Sequence, residues 1–262
     1  MTTAVAQPGP FARELRRWRG LRRWSQLDLA IRADTTQRYL SYLEQGRSQP
    51  GRAMVVRLAE SLGLTLRERN ALLTAAGYAP AFDESGWAAP ELGPIRDALR
   101  SVLHGHMPYP ALIVDRHSVL IEANPAMDVF FDGCAPELLR PPVNVRRLAL
   151  HPDGLGPRVL NLPEWGRHVT EGLRTRLRVS PDPDLEDFVA ELESYLPPTD
   201  PGPGYLGFAV PLRLRCDTGE LRLITTLTSF ATATDISLSE LQLEAFLPAD
   251  EATAQILRER FG

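Results

Sequence analysis

The chain has 262 residues, 44% of them apolar, and a net charge of −4; that content supplies two packed cores, and the length suits two domains better than one. No apolar run approaches the roughly 18 residues that span a bilayer, so a membrane partner is not expected. The net charge hides a division: the first 80 residues carry 13 Arg and 6 acidic side chains, and the remainder 16 Arg and 27 acidic, so one end suits phosphate and the other repels it.

The opening residues lack the basic and apolar regions of a signal peptide, which points to the cytoplasm. Residues 11–21 read as a first helix and begin a basic run: Arg13, Arg16, Arg17, Arg19, Arg22 and Arg23. A solvated helix face accounts for most of that run, leaving two or three guanidiniums for phosphate. All 29 basic residues are Arg, a pattern that base composition explains without a functional cause. Ser25 can cap a helix over 26–33, with Asp28 completing a capping box. Thr35 or Thr36 can cap a second helix over 37–45, which Gly46 is placed to stop.

Leu29, Ala30, Leu40 and Leu43 fall at spacings that let these two helices share an apolar face, leaving Gln37, Arg38, Ser41 and Tyr42 outward. In a helix-turn-helix the start of the second helix enters the major groove, where Arg pairs with guanine and Gln with adenine. Gln26, at a helix start, suits a phosphate; Thr36 and Arg47 complete the DNA-facing candidates.

Prolines and glycines break helical periodicity from residue 77 to 94, giving a DNA-binding domain over 1–80, a linker over 81–94 and a second domain over 95–262. In the second domain a helix over 91–103 leads to strands at 111–115 and 119–122, then a helix from Asn124 and Pro125. Helices at 164–178 and 184–195 are split by a turn at 181–183. Strands are expected near 206–215, 220–230 and 232–247, with Asp217-Thr218-Gly219 as a hairpin turn, and a last helix over 249–260. Cys134 and Cys216 lack metal-ligand spacing and read as free thiols.

Catalytic signatures are missing. There is no nucleophile elbow or phosphate-cradling Gly loop, Asp182 and Asp184 have no partner base nearby, and His104 and His106 have no third ligand, so neither an enzyme nor a metal site is expected.

The Ser25-Gln26-x-x-Leu29-Ala30 start, the Thr35-Thr36-Gln37 opening and the Leu43-Glu44-x-Gly46-Arg47 end resemble the Xre and lambdoid-repressor helix-turn-helix over residues 11–77. The resemblance implies an all-α five-helix bundle, with the remaining helices at about 11–21, 52–62 and 65–76. Asp34 stands where many members carry Gly, so strain is expected there. Two strands, several helices and three strands is the order of an α+β PAS-like domain with a five-stranded antiparallel sheet. The segments 108–115, 123–126, 150–155 and 246–253 resemble the MmyB-like group of Xre regulators.

That resemblance implies a transcriptional regulator, expected to be a repressor, that binds an inverted-repeat operator as a homodimer. A small apolar, fatty-acid-like ligand in the second domain would control it, with no cofactor required. Candidate pocket residues are Tyr109, Asn124, Phe130, His151, Trp165 and Phe208, a mixture of apolar walls and polar handles. The aromatics serve equally as plain core, Asn124 as a helix cap and His151 as a turn residue. Two other readings stand beside this one: a second domain that only dimerises or recruits a protein, and a PAS sensor holding haem or flavin.

Overall fold

The computed structural model describes residues 8–198, 210–230 and 232–262. They fall into two units, one of residues up to Ser85 together with Thr232–Ser239, the other of Gly86–Ala231 with Glu240–Gly262.

Five helices make up most of the first unit: α1 (Pro10–Leu21), α2 (Gln26–Arg32), α3 (Gln37–Glu44), α4 (Arg52–Ser61) and α5 (Leu66–Ala75). Three of their starts are legible as caps. Ser25 and Asp28 form the expected box on α2, Thr36 Oγ1 accepts from Tyr39 N on α3, and Thr65 with Glu68 forms a second box on α5, each worth about 1 kcal/mol. Leu15, Leu29, Leu40, Leu43, Val55, Leu58, Leu72 and Leu73 close into one core with essentially no exposure; burial of each such side chain contributes roughly 1.5–3 kcal/mol. Asp34 does adopt left-handed backbone, with φ of +46°, as does Arg23 at +55°.

The segment after α5 is tied back to it. Asn70 donates to Phe82 O at 2.7 Å, and its Oδ1 accepts from the amides of Ala81 (2.8 Å) and Phe82 (3.1 Å). Arg67 grips Glu84 with two bonds of 2.9 and 2.5 Å.

The second unit starts with a short 3-10 turn, Pro90–Leu92, and α6 (Gly93–Gly105). There follow β1 (Ala111–Val114), β2 (Leu120–Ala123), α7 (Asp128–Phe131), α8 (Val145–Leu150), α9 (Leu162–Val179), α10 (Pro183–Ser194), β3 (Leu212–Cys216) and β4 (Gly219–Ser229). After the short α11 (Ile236–Glu240) come β5 (Gln242–Pro248) and α12 (Glu251–Phe261). The sheet runs β2-β1-β5-β4-β3 with every pair antiparallel, so this is the expected α+β PAS-like domain. Leu112, Val114, Leu212, Leu214, Leu221, Leu223 and Phe246 build one core with Phe130, Trp165, Val169, Leu173 and Leu192. Cys134 and Cys216 are free thiols.

One expected strand is corrected. Residues 232–241 do not extend β5: Asp235 Oδ1 accepts from Leu238 N at 3.1 Å and Asp235 O from Ser239 N at 3.0 Å, closing a helical turn. Ile236 and Leu238 alternate with polar neighbours as strand residues do, and that alternation masked an Asp cap.

Candidate nucleic-acid interface and ligand cavity

In the first unit, Gln37 and Arg38 stand exposed at the start of α3, with Ser41 and Tyr42 half-buried one turn on. Arg38 is already oriented: its Nε donates to Tyr42 Oη at 3.0 Å, and its guanidinium lies 5.5 Å from the Tyr42 ring centre. Ser41 Oγ accepts from Gln45 at 2.8 Å. Gly46 takes φ of +70° and ends the helix, with Arg47 N returning to Tyr42 O at 2.9 Å; the Arg47 side chain is exposed. Thr36 is exposed too, its hydroxyl engaged as the α3 cap.

Gln26, expected at a phosphate, lies at the start of α2, and its side-chain amide donates to Glu44 Oε2 at 2.8 Å. Glu44 is the residue that sequence reasoning missed. Its carboxylate is 1% exposed and is gripped by Arg19 through bonds of 2.6 and 2.9 Å, while Arg16 donates to its carbonyl at 2.9 Å. Burial pushes the Glu44 carboxyl up, but the bonds from Arg19 and Gln26 and the fields of Arg19 and Arg16 outweigh it, holding its pKa below the usual value. The network joins α1, α2 and α3, so it fixes the angle at which α3 is presented. The available signal was an acidic residue beside Leu40 and Leu43 on the buried face of its helix.

Much of the basic run serves the same bundle. Arg13 donates to Pro8 O at 2.7 Å, Arg17 pairs with Glu14 at 3.0 Å, and Arg22 donates to Leu62 O at 3.0 Å. The side chains of Arg23, Arg47 and Arg52 are exposed, with no hydrogen bond or ion pair of their own among the described residues.

In the second unit a cavity of about 370 Å³ opens between the inner face of the sheet and helices α8 and α9, within the usual range for ligand pockets. Leu112, Met127, Phe130, Leu148, Trp165, Val169, Leu173 and Phe246 supply apolar wall. Its polar groups are Ser118, Arg146, His168, Arg176, Thr225, Gln242 and Glu244. Arg146 bonds Glu244, itself 5% exposed at the side chain, at 2.6 Å. Arg146 Nε is buried and has no partner among the described residues. Arg176 donates to Arg116 O at 2.5 Å. The cavity therefore carries two guanidiniums against one carboxylate, and one buried donor still unspent.

Of the six residues proposed from sequence, Phe130 and Trp165 stand in the cavity wall. Phe208 lies outside the described residues. Tyr109, Asn124 and His151 are not in the wall, and two of them have other employment. Asn124 spans three backbone groups, accepting from Ala111 N at 3.1 Å and donating to Leu103 O and Tyr109 O at 3.1 and 2.9 Å, which knots the end of α6 to β1. His151 Nδ1 accepts from Asp153 N at 3.0 Å, and its ring packs edge-on against Tyr195 at 4.8 Å. Tyr109 packs at the margin of the core.

Among the described residues there is no group of three His, Cys, Asp or Glu side chains fit to hold a metal, and no helix is long and apolar enough to cross a membrane.

A family model described as "MmyB-like transcription regulator ligand binding domain" matches residues 95–259, and one described as "Helix-turn-helix domain" matches residues 10–72. Among solved structures the chain is similar to one titled "Structure of an RNA-binding Light-Oxygen-Voltage Receptor", with 15% identity and a TM-score of 0.27 over 98% of this chain and 64% of that one. The chain thus spans a little under two thirds of that structure's length, and a TM-score this low bears on neither fold nor function. No curated protein matches.

Proposed function

The chain belongs to the MmyB-like transcription regulators, joining a helix-turn-helix to a ligand-binding domain, and from that premise we propose a repressor whose operator affinity is set by an apolar ligand with an anionic end. The observation that carries this is the cavity: an apolar wall, an excess of guanidinium over carboxylate, and Arg146 Nε buried without a partner. A buried donor left unsatisfied costs free energy, and an acceptor brought by a ligand recovers it. A fatty acid or another acyl anion has the required shape and charge.

On the DNA side Arg38 and Gln37 read base edges, Tyr42 holds Arg38 in its reading pose, and Arg47 meets phosphate. The chain acts as a homodimer on an inverted repeat, because one short recognition helix spans too few base pairs for selectivity and a two-fold pair doubles them. Repression is the sense we assign, since a dimer covering its operator excludes other proteins without further contacts. A ligand that binds one arrangement better than another shifts operator affinity by its differential binding energy.

The test uses palmitate as probe. Isothermal titration should show saturable binding to the full chain, and Arg146→Met combined with Glu244→Gln, which leaves no buried carboxylate unpaired, should weaken it by about ten- to a hundredfold, the worth of a charged hydrogen bond. Equal affinity in the double variant would remove the anionic end from the proposal. Failure of the native chain to bind palmitate would remove the acyl class.

A further inference from the structure

Two strands that wall the cavity are joined by a connection that is grouped with the other unit. Thr225 and Leu227 of β4 and Gln242 and Glu244 of β5 line the cavity, and they pair directly, Leu227 with Glu244 and Ser229 with Gln242. The connection leaving that strand pair contains Thr232–Ser239, which belongs to the first unit. There it is clasped. Ser85 N donates to Asp235 Oδ2 at 2.9 Å, and Ile236 N donates to Asp83 O at 2.8 Å. Ile236 and Leu238 of this turn are buried. Burial pushes the Asp235 carboxyl up, yet the hydrogen bonds from Ser85 and the α11 amides hold its pKa below the usual value.

The other half of the clasp leads into the DNA-binding bundle. Glu84 is held by Arg67, and Phe82 by Asn70, both side chains of α5. A path of backbone and hydrogen bonds therefore runs from the cavity wall through Asp235, Ser85 and Glu84 to the helical bundle. With the clasp closed the chain passes between the units three times, after Ser85, after Ala231 and after Ser239; with it open, only the passage after Ser85 remains. Closing or opening this clasp therefore adds or removes a hold on the segment that follows α5.

Resting on the ligand reading given above, we infer that the β4–β5 connection is a regulatory strap: ligand seated against Leu227 and Glu244 shifts the balance between clasped and released states at Asp83–Ser85. Among the described cavity elements, β4 and β5 lie nearest in sequence to Thr232–Ser239. Coupling of this kind is reciprocal, so operator binding must act back on the same strand ends.

The test uses the full chain, palmitate, and a DNA fragment recovered from a random pool by the native protein. Asp235→Ala removes the carboxylate of the clasp together with its bond to Leu238 N, and Ser85→Pro removes the amide that donates to it from the other side. Palmitate should change the operator affinity of the native chain by about tenfold, a typical coupling. In both variants the response should fall below about twofold while palmitate affinity is kept. If both variants keep the full response, the strap is overturned and the ligand reading stands.

If the native chain binds no palmitate, or binds it without a response, hydrogen exchange decides independently of the ligand. Saturating operator should then slow exchange over 225–229 and 242–246 in the native chain and not in the variants, with α1–α5 equally protected in all three. Identical exchange patterns in native and variant chains overturn the strap.

Discussion

Glu44 is the most deeply buried carboxylate of the first unit, at 1% exposure, and Arg19, 17% exposed at the side chain, is its two-bond partner. Removing one member of a buried pair leaves the other uncompensated, so Arg19→Ala should destabilise α1–α3 by about 3 kcal/mol, read from their hydrogen exchange through a urea titration. The pH dependence has a definite sign. Glu44 has a folded pKa below its usual 4.5, so its contribution is fully present above that value and is lost as pH falls through the lower, folded one. The first unit should therefore loosen on acidification below the ordinary carboxylate range, and Arg19→Ala should shrink that dependence; an unchanged acid profile in the variant would assign the loss to other groups. Single residues were the least legible part of the sequence. Arg146 and Glu244 lie 98 positions apart, and nothing local to either announces the other. His151 and Asn124 read as polar handles in the sequence, and the structure shows backbone groups bonded to His151 Nδ1 and to the Asn124 amide.

Elements were far more legible, because caps and periodicity are local properties. The five helices of the bundle start within one residue of their expected positions, Ser25 and Thr36 announcing two of them and the family resemblance supplying the other three. The β4–β5 connection failed for the opposite reason: a two-residue apolar alternation is too short to tell a strand from a single capped turn. The turn that follows α8 shows what a short motif can hide. A Cβ on Gly154 would sit 2.2 Å from Leu148 O, and one on Gly156 2.8 Å from His151 O, so the backbone passes too close for any side chain. Gly154→Ala should cost the second unit roughly 1–3 kcal/mol, the usual cost of overpacking, and should lower its unfolding temperature while operator affinity of the folded protein is kept. A variant as stable as the native chain would mean that this turn can relax freely. The segment 150–155 that carried part of the family resemblance thus encodes a close backbone turn, from which Leu155 reaches the cavity wall.

At the scale of the molecule, charge divides more sharply than the fold. The first 80 residues hold a net of +7 and the rest a net of −11, so only one end can lie along DNA. For a dimer meeting six to ten phosphates, operator affinity should fall by about 10³ to 10⁵ between 50 and 200 mM salt, measured by fluorescence anisotropy. A shallow slope would mean that the exposed Arg23, Arg47 and Arg52 do not reach phosphate. This division was visible in the sequence before any helix was assigned, whereas the grouping of Thr232–Ser239 with the first unit was not, since it depends on contacts some 150 positions apart. That grouping also constrains how such a protein can be assembled by evolution. The coding sequence of the DNA-binding half is interrupted, eight of its residues lying inside the gene segment for the other half. Joining a new sensor end to end behind this head would leave it without its own insert. A successful exchange must import a strand connection that fits Asp83–Ser85, so head and sensor are expected to descend together as one cassette.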